Sequence, residues 1–475
     1  MAEIIPLMEE ESHDRDAVWA VANPTARSRL DRFKAYGIAM APTLKRALPN
    51  YCRPEQISTP GNSQSAYLDA LRGYAAFIVY VYHMYYIPAA VTWRRYPIIS
   101  TLFGGPAMVS VFYVISGYAL GYSLLLNMHR KDEARMLNGL ASSTFRRYMR
   151  LYGSSVVGLF IALVIVRMHL YNGVYGVEVY QDSLWKQLGH WFADAFRFCN
   201  PFAKNITDIK GNEPLSSNYL PQMWTIPVEF RGSVFLFAFC TAVCKLTPRM
   251  RMWAMWLVIV LGHCWQAVYI SEFISGLFIA QLSICRNPDR VTGSIITSTV
   301  DSEKPRRPQT RSSKVLHSLL FSASIILLGQ IDEGQGYLLI FGGFPWKYIN
   351  HLIPFWWEST AEYLFWLAWG SFGLVYALEF YPTLRRPLSW TVSRYLGDIS
   401  FGLYAMHVCF GMGIRSLYLD PWRQKYLGES SLAYLFIAII ITFIVITAAD
   451  YFTKLDRMVV RYSKQIQDQF FSKWN

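Results

Sequence analysis

The sequence predicts an all-α, polytopic membrane protein of about ten transmembrane helices. Three observations carry that expectation. Hydrophobic residues make up 53% of the chain and charged residues 16%, whereas soluble domains carry roughly 25% charged residues. Ten apolar runs are long enough, or nearly so, to cross about 30 Å of hydrocarbon. Lys and Arg gather in the short segments between those runs, a pattern that sets membrane topology.

In chain order the predicted spans are 67–88, 104–126, 150–171, 219–243, 252–269, 270–285, 315–331, 362–380, 395–415 and 431–450. The fifth and sixth nearly abut and read as a tight helical hairpin. The seventh has an alternative placement shifted towards Gly336–Phe344. Residues 1–66 form a cytosolic segment, partly disordered, that opens acidic (Glu9, Glu10, Glu11, Asp14, Asp16) and lacks the apolar core of a signal peptide. An amphipathic stretch near Arg27 to Leu48 suits a membrane surface. The loop 286–314, rich in Ser, Thr, Pro and basic residues, reads as disordered, and 451–475 as a cytosolic tail.

An even number of spans puts both termini on one side. With both cytosolic, the inner segments hold 32 of the 45 Lys and Arg, as the positive-inside rule requires. Asn205-Ile206-Thr207 is then a lumenal N-glycosylation sequon in the loop 172–218. The expected location is the endoplasmic reticulum or another endomembrane. The formal charge of +13 is spread among these loops and forms no extended basic face, so no nucleic acid partner is implied. The seven cysteines are scattered without metal-ligand spacing, so neither a zinc site nor a disulfide framework is expected.

Charged side chains inside a bilayer cost roughly 2.5–3.5 kcal/mol each on the lenient insertion scale, and such residues mark partners or function. Asp69, Arg72, His83, Glu229, Arg231 and His407 all lie in or at the ends of predicted spans. Arg72 and His83 are eleven residues apart, which places them on one helical face about 16 Å apart along the axis. Asp69 pairs with Arg72 at i,i+3, either as part of a site or as a snorkelling pair at the interface. In the fourth span, Pro227 predicts a kink. Glu229 and Arg231 point to opposite sides of that helix, so each needs a separate partner, with Arg72 the expected one for Glu229. Ser400, Tyr404 and His407 share one stripe of the ninth span, lining a cavity or joining helices as polar glue. Arg146, Arg147 and Arg150 form a cluster that suits phosphate binding or plain positive-inside anchoring.

Taken together, these segments resemble the acyltransferase 3 family of integral membrane acyltransferases, in the version common in filamentous fungi. The matching stretches are Leu68-Asp69-Ala70-Leu71-Arg72-Gly73 followed by His83, then Phe112 to Tyr118, Arg146-Arg147 with Arg150, Trp224 to Ser233, Phe273 to Gln281, and Leu396 to His407. They occur in the family's order across roughly residues 65 to 450. Gly153 stands near where many members have proline, and the chain ends without the hydrolase-like extension of some members.

The resemblance implies a ten-helix domain that moves an acyl group, most often acetyl, from acyl-coenzyme A to an acceptor hydroxyl. It implies His83 as catalytic base, supported by Arg72, with Arg146, Arg147 and Arg150 on the coenzyme A phosphates. Asp69 and Glu229 join the catalytic set, and Ser116, Trp224, Arg231, Tyr404 and His407 the cavity lining. Acyl-coenzyme A is expected as co-substrate, with no bound cofactor and no metal. The expected acceptor is a lipophilic alcohol of terpenoid or polyketide type, met in the membrane. Acylation of a lumenal glycan or lipid is the second reading, and a proton-coupled transporter built on the same buried Arg, Glu and His the third.

Overall fold

The structure, a computed structural model, describes residues 49–52, 66–85, 96–174, 176–201, 216–288, 310–330, 344–358 and 361–471. The chain divides into two units, Met1–Thr59 and Pro60–Asn475. Of the first, the described part is a single 3-10 turn, Asn50–Cys52. The amphipathic stretch 27–48, Asn205 and residues 289–309 of the basic loop lie outside the described residues.

The second unit is helical, with no strand among the described residues. Its principal helices are α1 (Ala66–Met84), α2 (Gly105–Arg130), α3 (Glu133–Tyr148), α4 (Ser154–Arg167), α5 (Leu184–Phe198), α6 (Thr225–Val243), α7 (Pro248–Cys264), α8 (Val268–Arg286), α9 (Arg311–Leu328), α10 (Tyr363–Phe380), α11 (Thr391–Asp398), α12 (Ser400–Met406) and α13 (Ser431–Phe471). Six helical segments are long and apolar enough to cross a membrane: Gly105–Arg130, Glu133–Arg167, Pro221–Val243, Val268–Arg286, Tyr363–Phe380 and Ser431–Phe471. The remaining predicted spans are helical too. They are more polar (α1, with Asp69, Arg72 and four tyrosines), shorter (α7, 17 residues) or broken. The predicted hairpin is α7 and α8, which pack together across the turn Trp265–Ala267, with Gln266 at φ 62°.

Local chemistry explains where several helices begin. Lys131 ends α2 in the left-handed conformation, and the Asp132 side chain accepts from Arg135 N to start α3. Thr247 and Thr310 cap α7 and α9 in the same way.

Three segments add to or correct the expectation. Residues 133–148, which lie between the predicted second and third spans, are helix α3, which runs through a five-residue π-turn, Met149–Gly153, into α4. Pro227 causes no kink: α6 starts at Thr225, so the proline sits in the first turn, where its missing N–H costs nothing. The break lies in the ninth span, where α11 ends at Asp398, α12 starts at Ser400, and the helix widens to π geometry at His407–Met412. The described part of the expected tail, 451–471, is helical and continues α13, about 61 Å in all.

Glycines set the closest helix crossings. A Cβ at Gly117 would lie 1.9 Å from Phe273 O, and one at Gly276 would lie 2.0 Å from Val114 O. These reciprocal contacts bring α2 and α8 together in the most extensive packing of the unit. In lipid, where apolar surface gains little by pairing, such close backbone approach is what holds helices. Gly73 and Gly397 do the same for α1 and α11, each facing the other helix's backbone at under 3 Å. Gly276→Val forces this backbone contact apart. Overpacking costs about 1–3 kcal/mol, so we expect a lower yield of folded protein and a lower melting temperature in detergent.

Candidate active site

The site begins at the α3–α4 junction. The π-turn inserts an extra residue per turn, and Arg147 and Arg150 both reach the wall of a cavity that encloses about 780 Å³, counting its open mouth. Arg72 of α1, Tyr113 of α2, Thr225 and Glu229 of α6, Ser400 and Tyr404 of α12, and Asp456 of α13 complete its polar lining. Six helices thus contribute to one chamber, which the sequence spreads over nearly 400 residues.

Glu229 is the centre of its hydrogen bonding. Arg147 Nη2 lies 2.5 Å from Glu229 Oε1, and Ser116 Oγ donates to the same oxygen at 2.7 Å. Arg147 Nε donates to Ser233 Oγ at 2.8 Å, and that hydroxyl donates to Glu229 O at 2.6 Å. Arg147 is 9% exposed and Glu229 19%, so the pair is mostly withdrawn from solvent and each charge needs the other. The guanidinium that Glu229 takes is therefore that of Arg147, and the expected partner Arg72 goes elsewhere. Arg72 stays with Asp69 at 3.7 Å, a pair with 35% and 67% exposed side chains. Asp69 itself is not on the cavity wall.

Arg231 points away from Glu229, as the helical angle requires, and donates to Pro201 O at 2.8 Å. Trp224 packs on Tyr269 with ring centroids 6.3 Å apart and lies off the wall. Arg146 lines a second cavity of about 500 Å³ with Arg147 and Arg150. The two cavities share those last two arginines. Arg150 has no hydrogen-bond or ion-pair partner among the described residues.

At the other end, Tyr404 Oη and Thr225 Oγ1 are 2.7 Å apart, and Tyr404 also donates to Gln222 O. Ser400 lines the cavity one turn earlier. His407, one turn beyond Tyr404, is fully buried behind the wall. Its Nδ1 is 3.1 Å from Leu403 O. A carbonyl only accepts, so Nδ1 carries the proton and Nε2 the lone pair. His83 stacks on this ring, with centroids 5.2 Å apart and planes 29° apart. The structure thus brings His83 and His407 together at the end of the chamber beyond Tyr404, with His83 off the cavity wall.

Asp456 is a wall residue that the sequence reading passes over. It accepts from Ser154 Oγ at 2.6 Å and faces Arg72 and Arg150 across the chamber. The helical spacing that runs from Ala449 through Phe452 to Asp456, past the predicted span end at 450, is the signal that locates it. Among the described residues, no group of three or more His, Cys, Asp or Glu forms a metal cluster.

The profile of an acyltransferase domain family, acyltransferase 3, matches residues 65–451. An O-acetyltransferase, PaAT-1 of Phomopsis amygdali, is 27% identical over 373 residues, covering 72% of this chain and 71% of that protein. Acyltransferase R4 of Phoma sp. is 21% identical, covering 74% and 85% of the two chains. Acyltransferase clz18 of Cochliobolus lunatus is 19% identical, covering 66% and 69%. No solved structure matches the chain.

Proposed function

The chain belongs to the acyltransferase 3 family, and from that premise we propose that it transfers an acyl group, acetyl in the first instance, from acyl-coenzyme A to the hydroxyl of a lipophilic small molecule. It is a membrane protein and an acyltransferase; the donor, the acceptor and the role of each residue are the content of this reading. We take the acceptor to be of terpenoid or polyketide type, and the membrane to be an endomembrane with both termini cytosolic.

The observation that carries the reading is the pair of cavities that share Arg147 and Arg150 in their walls. Coenzyme A is a long molecule with phosphates at one end and a thioester at the other. The outer cavity, with Arg146, Arg147 and Arg150, offers guanidinium forks suited to phosphates. The inner chamber, lined from Arg72, Arg147 and Arg150 to Tyr404, would take the pantetheine arm. Arg147 is already neutralised by Glu229, so it contributes position and hydrogen bonds, while Arg150 contributes the freer charge.

The chemistry needs a base, because a neutral hydroxyl is a weak nucleophile. In this reading His83 takes the acceptor's proton as the oxygen attacks the thioester carbonyl. Collapse of the tetrahedral intermediate breaks the C–S bond, and the thiolate recovers the proton from His83. The products are an ester and free coenzyme A. His407, holding its proton on Nδ1, packs under His83 as a neutral ring and orients it.

The test is release of coenzyme A from acetyl-coenzyme A by the purified protein with lipophilic alcohols, read with a thiol reagent. Acceptor-dependent release supports the proposal. No release with any acceptor, from protein that melts cooperatively, overturns it.

A further inference from the structure

A second recess lies behind the chamber. It encloses about 820 Å³, counting its open side, and is lined by Ile161 of α4, Met406 and Phe410 of the α12 region, and Phe443, Ala448 and Phe452 of α13. A volume of this size suits a small-molecule site, and the lining is almost wholly apolar. Its outer rim is exposed: Phe443 is 60% and Tyr451 44% accessible. The apolar run of α13 is only 28% buried against the rest of the protein. A membrane-crossing helix exposed in this way faces lipid, so the recess opens sideways into the bilayer.

Its inner wall is the wall of the chamber. Phe452 packs on Phe401 with ring centroids 5.8 Å apart, and Phe401 lines the chamber. Leu455 lines the recess while its neighbour Asp456 lines the chamber. Met406 lines the recess while its neighbour His407 stacks on His83. One layer of side chains separates bilayer from site. The neighbouring backbone is a π-helical segment, His407–Met412, a geometry less regular than α-helix and recurrent at functional sites.

The geometry points to this groove as the lateral entry and seat of a lipophilic alcohol, which reaches the histidine pair from the bilayer while the acyl donor enters from the arginine side. This rests on the acyltransferase reading and adds the acceptor's route and class. The occupant is a lipophilic alcohol, an apolar body that bears a hydroxyl, for which hexadecanol serves as a simple probe. The apolar body gains from leaving the lipid only through fit, so shape rather than hydrophobicity selects it. The hydroxyl lies at the inner end, towards the Phe401–Phe452 contact and the histidines behind it.

The experiment uses the full chain in lipid nanodiscs with a hexadecanol analogue that bears a diazirine and an alkyne. Photolabelling is mapped by mass spectrometry, with competition by hexadecanol and by hexadecane. We expect labels concentrated on residues 406–412 and 443–455, displaced by the alcohol and not by the alkane. Even labelling of every lipid-facing helix, including the exposed Leu257 on α7, or equal displacement by both competitors, overturns the proposal.

Ala448→Trp fills the groove. We expect its KM for hexadecanol to rise by about tenfold or more, equivalent to some 1.4 kcal/mol, with the affinity for acetyl-coenzyme A unchanged and Leu257→Trp indistinguishable from wild type. Unchanged KM in Ala448→Trp overturns the proposal. If wild type displays displaceable labelling yet releases no coenzyme A, the groove stands and the reading of acetyl-coenzyme A as donor to a lipophilic alcohol falls.

Discussion

His83→Ala should lower kcat for coenzyme A release by about 10²–10⁴-fold, the usual contribution of a general base, while leaving the protein folded. The ring is half-buried and packs against Tyr82 and His407. Losing the stacking costs about 0.5–1.5 kcal/mol, and a melting curve beside the release assay reports whether the fold survives. KM for acetyl-coenzyme A should hardly change, because the arginines that would hold it lie at the far end of the chamber. His407→Phe supplies the control. It keeps an aromatic ring under His83 and removes the nitrogens, so it should retain much more activity than His83→Ala. Substantial turnover in His83→Ala would remove the residue from the chemistry, and the base would then have to be sought on the chamber wall itself.

Arg147→Ala should abolish activity and also destabilise the protein, by about 3 kcal/mol or more, because it leaves the Glu229 carboxylate in place without its cation. Glu229 keeps only the hydrogen bond from Ser116. Glu229→Gln is the milder partner, since an amide still accepts from Ser116 and Arg147 without a charge to balance. The double variant Arg147→Met with Glu229→Leu should recover stability, since a buried ion pair replaced by apolar side chains is often neutral. It should not recover activity, since the donor site would be lost. A melting series in detergent beside the release assay separates the two effects. Wild-type stability in Arg147→Ala would mean that the pair is better hydrated by the cavity than its burial suggests.

The segments that carry the site were legible because buried charge in an apolar run is conspicuous in one dimension. Arg72, Glu229, Ser400, Tyr404 and the arginine cluster all reach the cavities. What could not be read was partnership. From sequence, Arg72 and Arg147 are equal candidates for Glu229. The choice depends on how far α3 is turned and how deep it sits against α6, which the π-turn at Met149–Gly153 sets. Asp456 escaped notice because hydropathy falls there, although the helix does not end.

The sequence by itself determined the helical membrane class and which apolar segments carry buried charge, six of them long and apolar enough to cross a membrane, since span length and buried charge are local properties of the chain in a bilayer. Only the tertiary structure decided which cation meets Glu229, that the ninth span breaks at Ile399, that His83 stacks on His407, and that an apolar groove lies against the chamber wall. Those features depend on helix rotation and depth, set by backbone contacts such as Gly117 with Phe273 and Gly73 with Leu396. A contact between residues hundreds of positions apart leaves no periodic trace in either segment.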